Sequence, residues 1–161
     1  MVALVSWLED VITVKDMDAI LKTMTENKSY KEVVFYVEAC YSGSVFENIV
    51  PKYDNVLAIT AANDDESSYA TYCDRELDTC LGDWFSISWM EYSDKHDLRK
   101  TTIEEEYKMV QERTYRSHVS EYGDDKILDQ EVSQIQGDEE PEDRRVYGKV
   151  TLVNTRHTLP F

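Results

Sequence analysis

Cys40 is the residue whose type and surroundings most clearly permit chemistry. It follows Ala39 and precedes a Ser-Gly-Ser turn at residues 42–44, and Glu38 lies two residues earlier. Small neighbours let a substrate carbonyl approach the sulfur and leave backbone N–H groups free to stabilise an oxyanion. The alternative is a structural thiol, because free cysteine is among the most commonly buried residues. The pattern alone leaves both interpretations open.

Two apolar runs are the elements that would position Cys40. Residues 33–37 read Val-Val-Phe-Tyr-Val, and residues 55–61 read Asn-Val-Leu-Ala-Ile-Thr-Ala. Both are continuous rather than alternating, which indicates strands buried on both faces of a parallel sheet. Ligands of such sheets bind beyond the carboxyl ends of the strands, where Cys40 falls. We therefore predict an α/β fold with a mostly parallel sheet flanked by helices.

Three helices are predicted to cover this sheet. The first spans about residues 14–27, and the second begins at Asp83, whose side chain can cap the following turn. The third begins at Thr102, which forms a capping box with Glu105, and runs to about residue 116. Their buried faces follow from helical spacing. The predicted face residues are Met17, Ile20, Leu21 and Met24, then Trp84, Ile87, Trp89 and Met90, then Ile103, Tyr107 and Val110.

Residues 62–82 are polar and without periodicity, which predicts a long loop. Loops of this length are more often functional than idle. Cys73 and Cys80 lie within it, and their spacing permits either a small disulfide or two unpaired thiols. Three cysteines cannot all pair within one chain, so at least one is free.

The charge and composition exclude several classes of protein. The 161 residues carry 33 Asp+Glu against 17 Lys+Arg, a net charge of −16, which argues against nucleic-acid binding. No apolar run approaches the roughly 20 residues of a membrane span. The first eight residues lack a basic leader and a cleavage site, so they do not read as a signal peptide. The acidic stretch after Gly137 predicts an exposed linker.

Three collinear blocks resemble the legumain family of asparaginyl endopeptidases. Residues 35–44, Phe-Tyr-Val-Glu-Ala-Cys-Tyr-Ser-Gly-Ser, resemble its nucleophile segment. The second block is Thr-Ala-Ala-Asn at 60–63 with Glu-Ser-Ser-Tyr-Ala at 66–70. The third is Leu-Gly-Asp-Trp at 81–84 with Trp-Met-Glu at 89–91. The resemblance covers roughly residues 4–137.

This resemblance implies a caspase-like α/β fold and a Cys-His endopeptidase that cleaves after asparagine and less readily after aspartate. Cys40 is the implied nucleophile, and its own amide an oxyanion donor. Glu38, Ser67, Ser68 and Asp83 match residues of the primary specificity pocket. Without the resemblance, Ser67 and Ser68 would be read as turn residues and Asp83 as a helix cap only.

The chemistry of asparagine fits such a pocket. Its side chain offers an NH₂ donor and a carbonyl acceptor. Glu38 and Asp83 can accept from the NH₂, whereas a basic group must serve the carbonyl. A carboxylate-rich pocket repels ionised aspartate, so we expect aspartate to be accepted mainly at low pH, once protonated.

The resemblance does not assign the catalytic base to any residue of this chain. A cysteine protease needs a base near the sulfur, normally histidine. In the family a His-Gly pair precedes the cysteine, and the register places that pair upstream of Met1. None of the histidines precedes Cys40. His96 is expected on the solvated surface, His118 at a helix end where it caps or packs, and His157 in the tail.

The resemblance therefore implies an amino-terminally truncated protein. Residues 1–137 would be the carboxy-terminal part of a legumain-like catalytic domain, with the first part of the sheet missing. Residues 138–161 would be an acidic linker and the start of an activation segment or prodomain.

The predicted function is cysteine-type endopeptidase activity after asparagine in the parent protein, with the isolated chain inactive or nearly so. The alternatives are a non-catalytic legumain-like binding module or decoy, and a subunit like the lipid-anchor transamidase. Predicted partners are peptides with asparagine, less often aspartate, before the scissile bond, and by family cystatin-type inhibitors. No cofactor and no metal are predicted. By resemblance the location is lysosomal or vacuolar.

Overall fold

A three-stranded mixed sheet lies at the centre of the part described by the computed structural model, residues 3–5 and 11–137. The strands are β1 (Ala3–Val5), β2 (Val11–Thr13), β3 (Val33–Val37), β4 (Val56–Thr60), β5 (Ala70–Asp74), β6 (Thr79–Asp83) and β7 (Ser120–Gly123). The helices are α1 (Val14–Glu26), α2 (Gly43–Phe46), α3 (Trp84–Ser93), α4 (Ile103–Arg113) and α5 (Ser133–Gln136). The central sheet has the order β3-β4-β7.

The two apolar runs form adjacent parallel strands, as predicted. Val33 of β3 stands opposite Val56 of β4, and Val37 opposite Thr60. Every residue of β4 is buried, whereas β3 is half-buried. The sheet is less parallel than expected, because β7 pairs antiparallel with β4 and the β1–β2 and β5–β6 pairs are also antiparallel. The short strand β7 was not predicted.

Helices cover both faces of the sheet. Leu57 and Ile59 point from β4 into a cluster with residues of α3 and α4, and Val56 and Ala58 point into a second cluster beneath α1 and α2. This alternation follows from the period of two in a strand. The fold is therefore a mixed α/β sandwich of three layers.

The first helix begins and ends close to the prediction. Thr13 caps α1 in a capping box with Asp16, and Asn27 follows the last turn. Leu21 and Met17 are buried. Ile20 is wrongly assigned to the buried face, since it is 44% exposed on the solvent side of the helix.

The capping box of α4 is confirmed, but the helix is shorter than predicted. Thr102 accepts from the Glu105 N–H while the Glu105 carboxylate accepts from the Thr102 N–H. Ile103 and Val110 are buried. The helix ends at Arg113 rather than near residue 116.

The predicted face of α3 is partly wrong. Phe85 and Tyr92 are the large residues buried beneath this helix, whereas Met90 is exposed. Trp89 is half-buried and packs against Tyr36 of β3, with 5.3 Å between ring centroids. The helix is apolar on more than one side, so its sequence does not fix which side meets the sheet.

The predicted loop at residues 62–82 contains a β-hairpin. Strands β5 and β6 pair antiparallel with Ala70 opposite Asp83, and a disulfide joins Cys73 to Cys80. The open question about these cysteines is thus answered, and Cys40 remains the free thiol. Residues 62–69 contain no helix or strand.

The ambiguous segment at residues 126–136 forms a 3₁₀ turn at Asp125–Asp129 followed by the short helix α5. No helix in residues 11–137 is both long enough and apolar enough to cross a bilayer. Predictions about His157 and residues 138–161 lie outside the described residues.

Candidate active site

A sharp reversal after β3 exposes Cys40. Tyr41 adopts the left-handed backbone conformation, with φ 57°, and its N–H donates to the Glu66 carbonyl at 2.7 Å. Left-handed backbone is costly for a residue with a side chain and is concentrated at functional sites. Gly43 follows in the same turn, where a Cβ would collide with the Tyr122 hydroxyl. The turn places the Cys40 side chain at the surface.

The thiol lies against Ser68. The Cys40 sulfur is 3.7 Å from the Ser68 carbonyl oxygen and 3.9 Å from its hydroxyl oxygen. The Cys40 N–H donates to no residue between 12 and 137. An exposed thiol beside an unused N–H is the arrangement that a nucleophile with its own oxyanion donor needs.

Glu38, and not Asp83, caps α3. One carboxylate oxygen of Glu38 accepts from the Ser86 N–H at 2.8 Å and from the Ser86 hydroxyl at 2.9 Å. Ser86 is the third residue of α3, where backbone N–H groups have no partner within the helix. The expectation that the Asp83 side chain caps this helix is wrong, since it makes no capping hydrogen bond.

The second carboxylate oxygen of Glu38 is buried and has no hydrogen-bond partner among the described residues. Burial raises the pKa of Glu38 against the lowering by Ser86, and the nearby charge of Asp83 raises it further. A buried acceptor without a partner costs free energy unless a ligand supplies the donor. Two acidic side chains, Glu38 and Asp83, thus lie near each other, and Glu38 keeps unused acceptor capacity.

Of the remaining predicted pocket residues, Ser68 contacts the thiol and Ser67 precedes it in the same segment. The Ser67 hydroxyl makes no hydrogen bond with another residue of the described chain. The structure therefore brings Cys40 to Ser68 and Glu38 to Asp83. The contribution of Ser86 was not predicted, although its place in the first turn of a helix after a strand-end carboxylate was a usable signal.

The histidine predictions are partly corrected. His118 lies beyond the end of α4 and is held by Glu66, which accepts from its backbone N–H at 2.6 Å and lies 2.8 Å from its Nδ1. It therefore does not cap a helix. Burial raises the pKa of Glu66, but hydrogen bonds from His118 and Asn63 outweigh this and hold the pKa below its ordinary value. His96 is exposed as expected, stacked on Tyr92.

No histidine contacts the Cys40 sulfur within residues 12–137, where the sulfur's hydrogen-bond partners are both atoms of Ser68. The same part of the chain holds no group of three His, Cys, Asp or Glu residues able to bind a metal ion.

Comparison with known proteins identifies the family. The profile of the Peptidase C13 family matches residues 3–138. The chain belongs to the Peptidase C13 family. It is 48% identical to mouse legumain over 128 residues, which are 80% of this chain and 29% of that protein. It is 48% identical to human legumain over 124 residues, 77% of this chain and 28% of that protein.

A plant member of the C13 family is also similar. The chain is 44% identical over 140 residues to the vacuolar-processing enzyme delta-isozyme of Arabidopsis thaliana, covering 80% of this chain and 30% of that protein. The chain thus spans about 30% of the length of these curated relatives. The resemblance inferred from the three sequence blocks is confirmed, and with it the cysteine peptidase family, whose membership implies a caspase-like fold.

Proposed function

We propose that this chain supplies the nucleophile and the primary specificity pocket of a cysteine endopeptidase that cleaves after asparagine. The observation that carries the proposal is the exposed Cys40 thiol against Ser68, whose side chain also lowers the pKa of Glu38, a carboxylate with one buried and unpaired oxygen. Family membership supports the peptidase chemistry.

The Cys40 thiol attacks the backbone carbonyl carbon of the asparagine residue, and the free N–H of Cys40 stabilises the oxyanion that forms. The C–N bond then breaks, the amine leaves with the proton that a base has taken from the thiol, and water hydrolyses the thioester to release the acid and the free thiol. The unpaired oxygen of Glu38 and the Asp83 carboxylate accept from the asparagine NH₂, while Ser67 and Ser68 line the approach. Aspartate binds chiefly when acid protonates it, because ionised aspartate is repelled.

Residues 12–137 hold no base against the thiol, so we propose that they turn peptides over slowly without a histidine from elsewhere in the protein. In this proposal residues 1–137 are the carboxy-terminal part of a legumain-like catalytic domain, and residues 138–161 lead into an activation segment. The protein works in a lysosome or vacuole, which the names of its plant relatives support, and it is a target of cystatin-type inhibitors.

The test compares labelling and turnover. The chain is incubated with peptide electrophiles that carry asparagine, aspartate or alanine before the reactive carbon, and adducts are located by mass spectrometry. We expect modification of Cys40 by the asparagine probe, at least tenfold faster than by the alanine probe, and none in Cys40→Ala. Cys73 and Cys80, which are joined to each other, are internal controls. Equal rates with all three probes would overturn the asparagine pocket.

Turnover of an asparaginyl peptide addresses the missing base. We expect little or none above Cys40→Ala. Robust turnover that depends on Cys40 would overturn the proposed inactivity, and His118→Ala would then show whether the imidazole held by Glu66 serves as the base.

A non-catalytic binding module is the second candidate, favoured by the absence of an imidazole at Cys40 in residues 12–137. It predicts peptide binding that survives Cys40→Ala and is lost in Asp83→Ala. Binding with no labelling of Cys40 would favour this candidate over the endopeptidase.

A further inference from the structure

An exposed cation lies over an aromatic ring beside the proposed pocket. The guanidinium carbon of Arg116 is 4.1 Å from the centroid of the Tyr69 ring, which is cation–π distance. Tyr69 follows Ser68, the residue in contact with the Cys40 thiol. Stacking leaves the N–H groups at the edge of the guanidinium available to a carboxylate.

A second contact fixes the same loop. Tyr115 packs edge-on against Trp84, with 6.2 Å between ring centroids, and the Trp84 N–H donates to the Tyr69 carbonyl at 3.0 Å. Trp84 immediately follows Asp83. The two loop residues 115 and 116 therefore rest on the two aromatic residues that adjoin the pocket.

Arg116 forms no ion pair within residues 12–137. By contrast, Arg113, three residues earlier, binds Glu91 at 2.6 Å. The proposed pocket is acidic and the whole chain carries a net charge of −16, so an acidic peptide would be repelled by most of this surface. An unpaired cation next to the pocket reverses that repulsion locally.

The position of Arg116 relative to the thiol indicates which part of a substrate it would meet. The scissile carbonyl must lie at Cys40, and the asparagine side chain must enter between Ser68 and Asp83. Tyr69 directly follows Ser68, which contacts the thiol, and its carbonyl accepts from the N–H of Trp84, the residue after Asp83. A substrate residue that meets Arg116 over Tyr69 is therefore a close neighbour of the asparagine, and we assign it to the residues before the cleaved bond.

We propose that Arg116 binds a carboxylate on the substrate, one or two residues before the scissile asparagine, and gives the site a preference for glutamate or aspartate there. This inference rests on the proposed function, since it assumes the asparagine pocket. Arg116 acts here as a specificity-determining residue and takes no part in bond breaking.

The experiment measures Kd by fluorescence anisotropy at pH 6 for two labelled peptides that end in Glu-Asn-amide and Gln-Asn-amide. An ion pair at an exposed site favours the glutamate peptide by about threefold. We expect Arg116→Gln to lower this ratio to one or below, Arg116→Lys to keep part of it, and 0.5 M salt to reduce it. Arg75→Gln is the matched control, because it makes the same charge change in the turn of the β5–β6 hairpin, remote from Asp83.

Thermal unfolding of each variant shows whether the substitution has changed the stability of the fold. A purely structural role of Arg116 would weaken the binding of both peptides equally. If the two peptides bind equally to the wild-type protein, or if Arg116→Gln keeps the preference, the inference is overturned and the pocket stands. If neither peptide binds, the asparagine pocket is overturned together with it. Extended peptides that carry glutamate after the asparagine test the other side of the cleaved bond. A preference for glutamate at that position instead also overturns the inference.

Discussion

The buried carboxylate of Glu106 gives the sharpest test of the fold. Glu106 is 1% exposed and lies on α4. It accepts from the Tyr36 hydroxyl at 2.6 Å and from the Gln136 amide at 2.9 Å, and the Ser93 hydroxyl lies 3.0 Å from it. These partners belong to β3, α5 and α3, so one side chain joins four elements beneath the sheet.

Removing the carboxylate should be costly. Each polar group left without a partner in a buried site costs about 1–3 kcal/mol, so Glu106→Ala, which leaves up to three, should lower the free energy of unfolding by about 3–5 kcal/mol. Glu106→Gln has nearly the same shape and keeps an acceptor and a donor. We expect it to cost about 1 kcal/mol at acidic pH, near the net value of one hydrogen bond.

The pH dependence of these variants has a definite sign. Burial raises the pKa of Glu106 above its ordinary value of 4.5, and the hydrogen bonds from Tyr36, Gln136 and Ser93 offset this only in part. The folded protein thus holds a proton that the unfolded chain releases. The stabilising contribution of the neutral group is complete below about pH 4.5 and is lost as the pH rises through the raised pKa.

Urea unfolding followed by tryptophan fluorescence, at pH values from 4 to 8, measures both effects. Because burial also raises the pKa values of Glu38 and Glu121, only the difference between wild type and Glu106→Gln reports on Glu106. We expect wild type to lose stability relative to Glu106→Gln as the pH rises. A constant difference across the range would refute the raised pKa of Glu106, and a cost below 1 kcal/mol for Glu106→Ala at pH 4.5 would refute the stabilising role of its hydrogen bonds.

Four other substitutions test the site and its supports. Cys73→Ser opens the disulfide of the β5–β6 hairpin and should lower the free energy of unfolding by about 2 kcal/mol, measured as a lower Tm. Reducing agent should lower the Tm of the wild-type protein to the same extent and leave the Tm of the variant unchanged. Gly43→Ala drives a Cβ against the Tyr122 hydroxyl and should lower the free energy of unfolding, measured in urea, by about 1–3 kcal/mol. It should also slow alkylation of the Cys40 thiol. An unchanged stability and alkylation rate would mean that the turn relaxes freely. Glu38→Ala removes the cap of α3 and should lower the free energy of unfolding, measured in urea, by about 1 kcal/mol. Asp83→Ala should leave the stability intact. Equal losses in the two variants would contradict the assignment of the cap to Glu38 rather than to Asp83.

The sequence predicts elements whose signals are local. The capping box of Thr102 and Glu105 specifies where α4 begins, because both partners lie within four residues. The run that forms β4 is apolar from Val56 to Ile59, as expected of a strand that is buried on both faces. Cys40 was placed correctly at the carboxyl end of β3 for the same reason.

The missed strands have no clear signal in their own sequences. β5 and β6 are largely exposed and are joined by the pairing of Cys73 with Cys80, which spacing cannot establish. β7 has four residues and is specified by its pairing with β4, from Leu57 opposite Gly123 to Thr60 opposite Ser120. A strand so short has no periodicity of its own to detect.

The candidate site shows how a tertiary contact reassigns a local role. Asp83 has the residue type and position of a helix cap, yet Glu38, 45 residues earlier in the chain, takes the Ser86 N–H at 2.8 Å. One oxygen of Glu38 is thereby fixed by a helix whose N-terminal partial charge favours an anion. The other oxygen of Glu38 has no hydrogen-bond partner among the described residues. Glu38 and Asp83 come together because the segment after β3 also supplies the cap of α3, and neither segment alone contains that information.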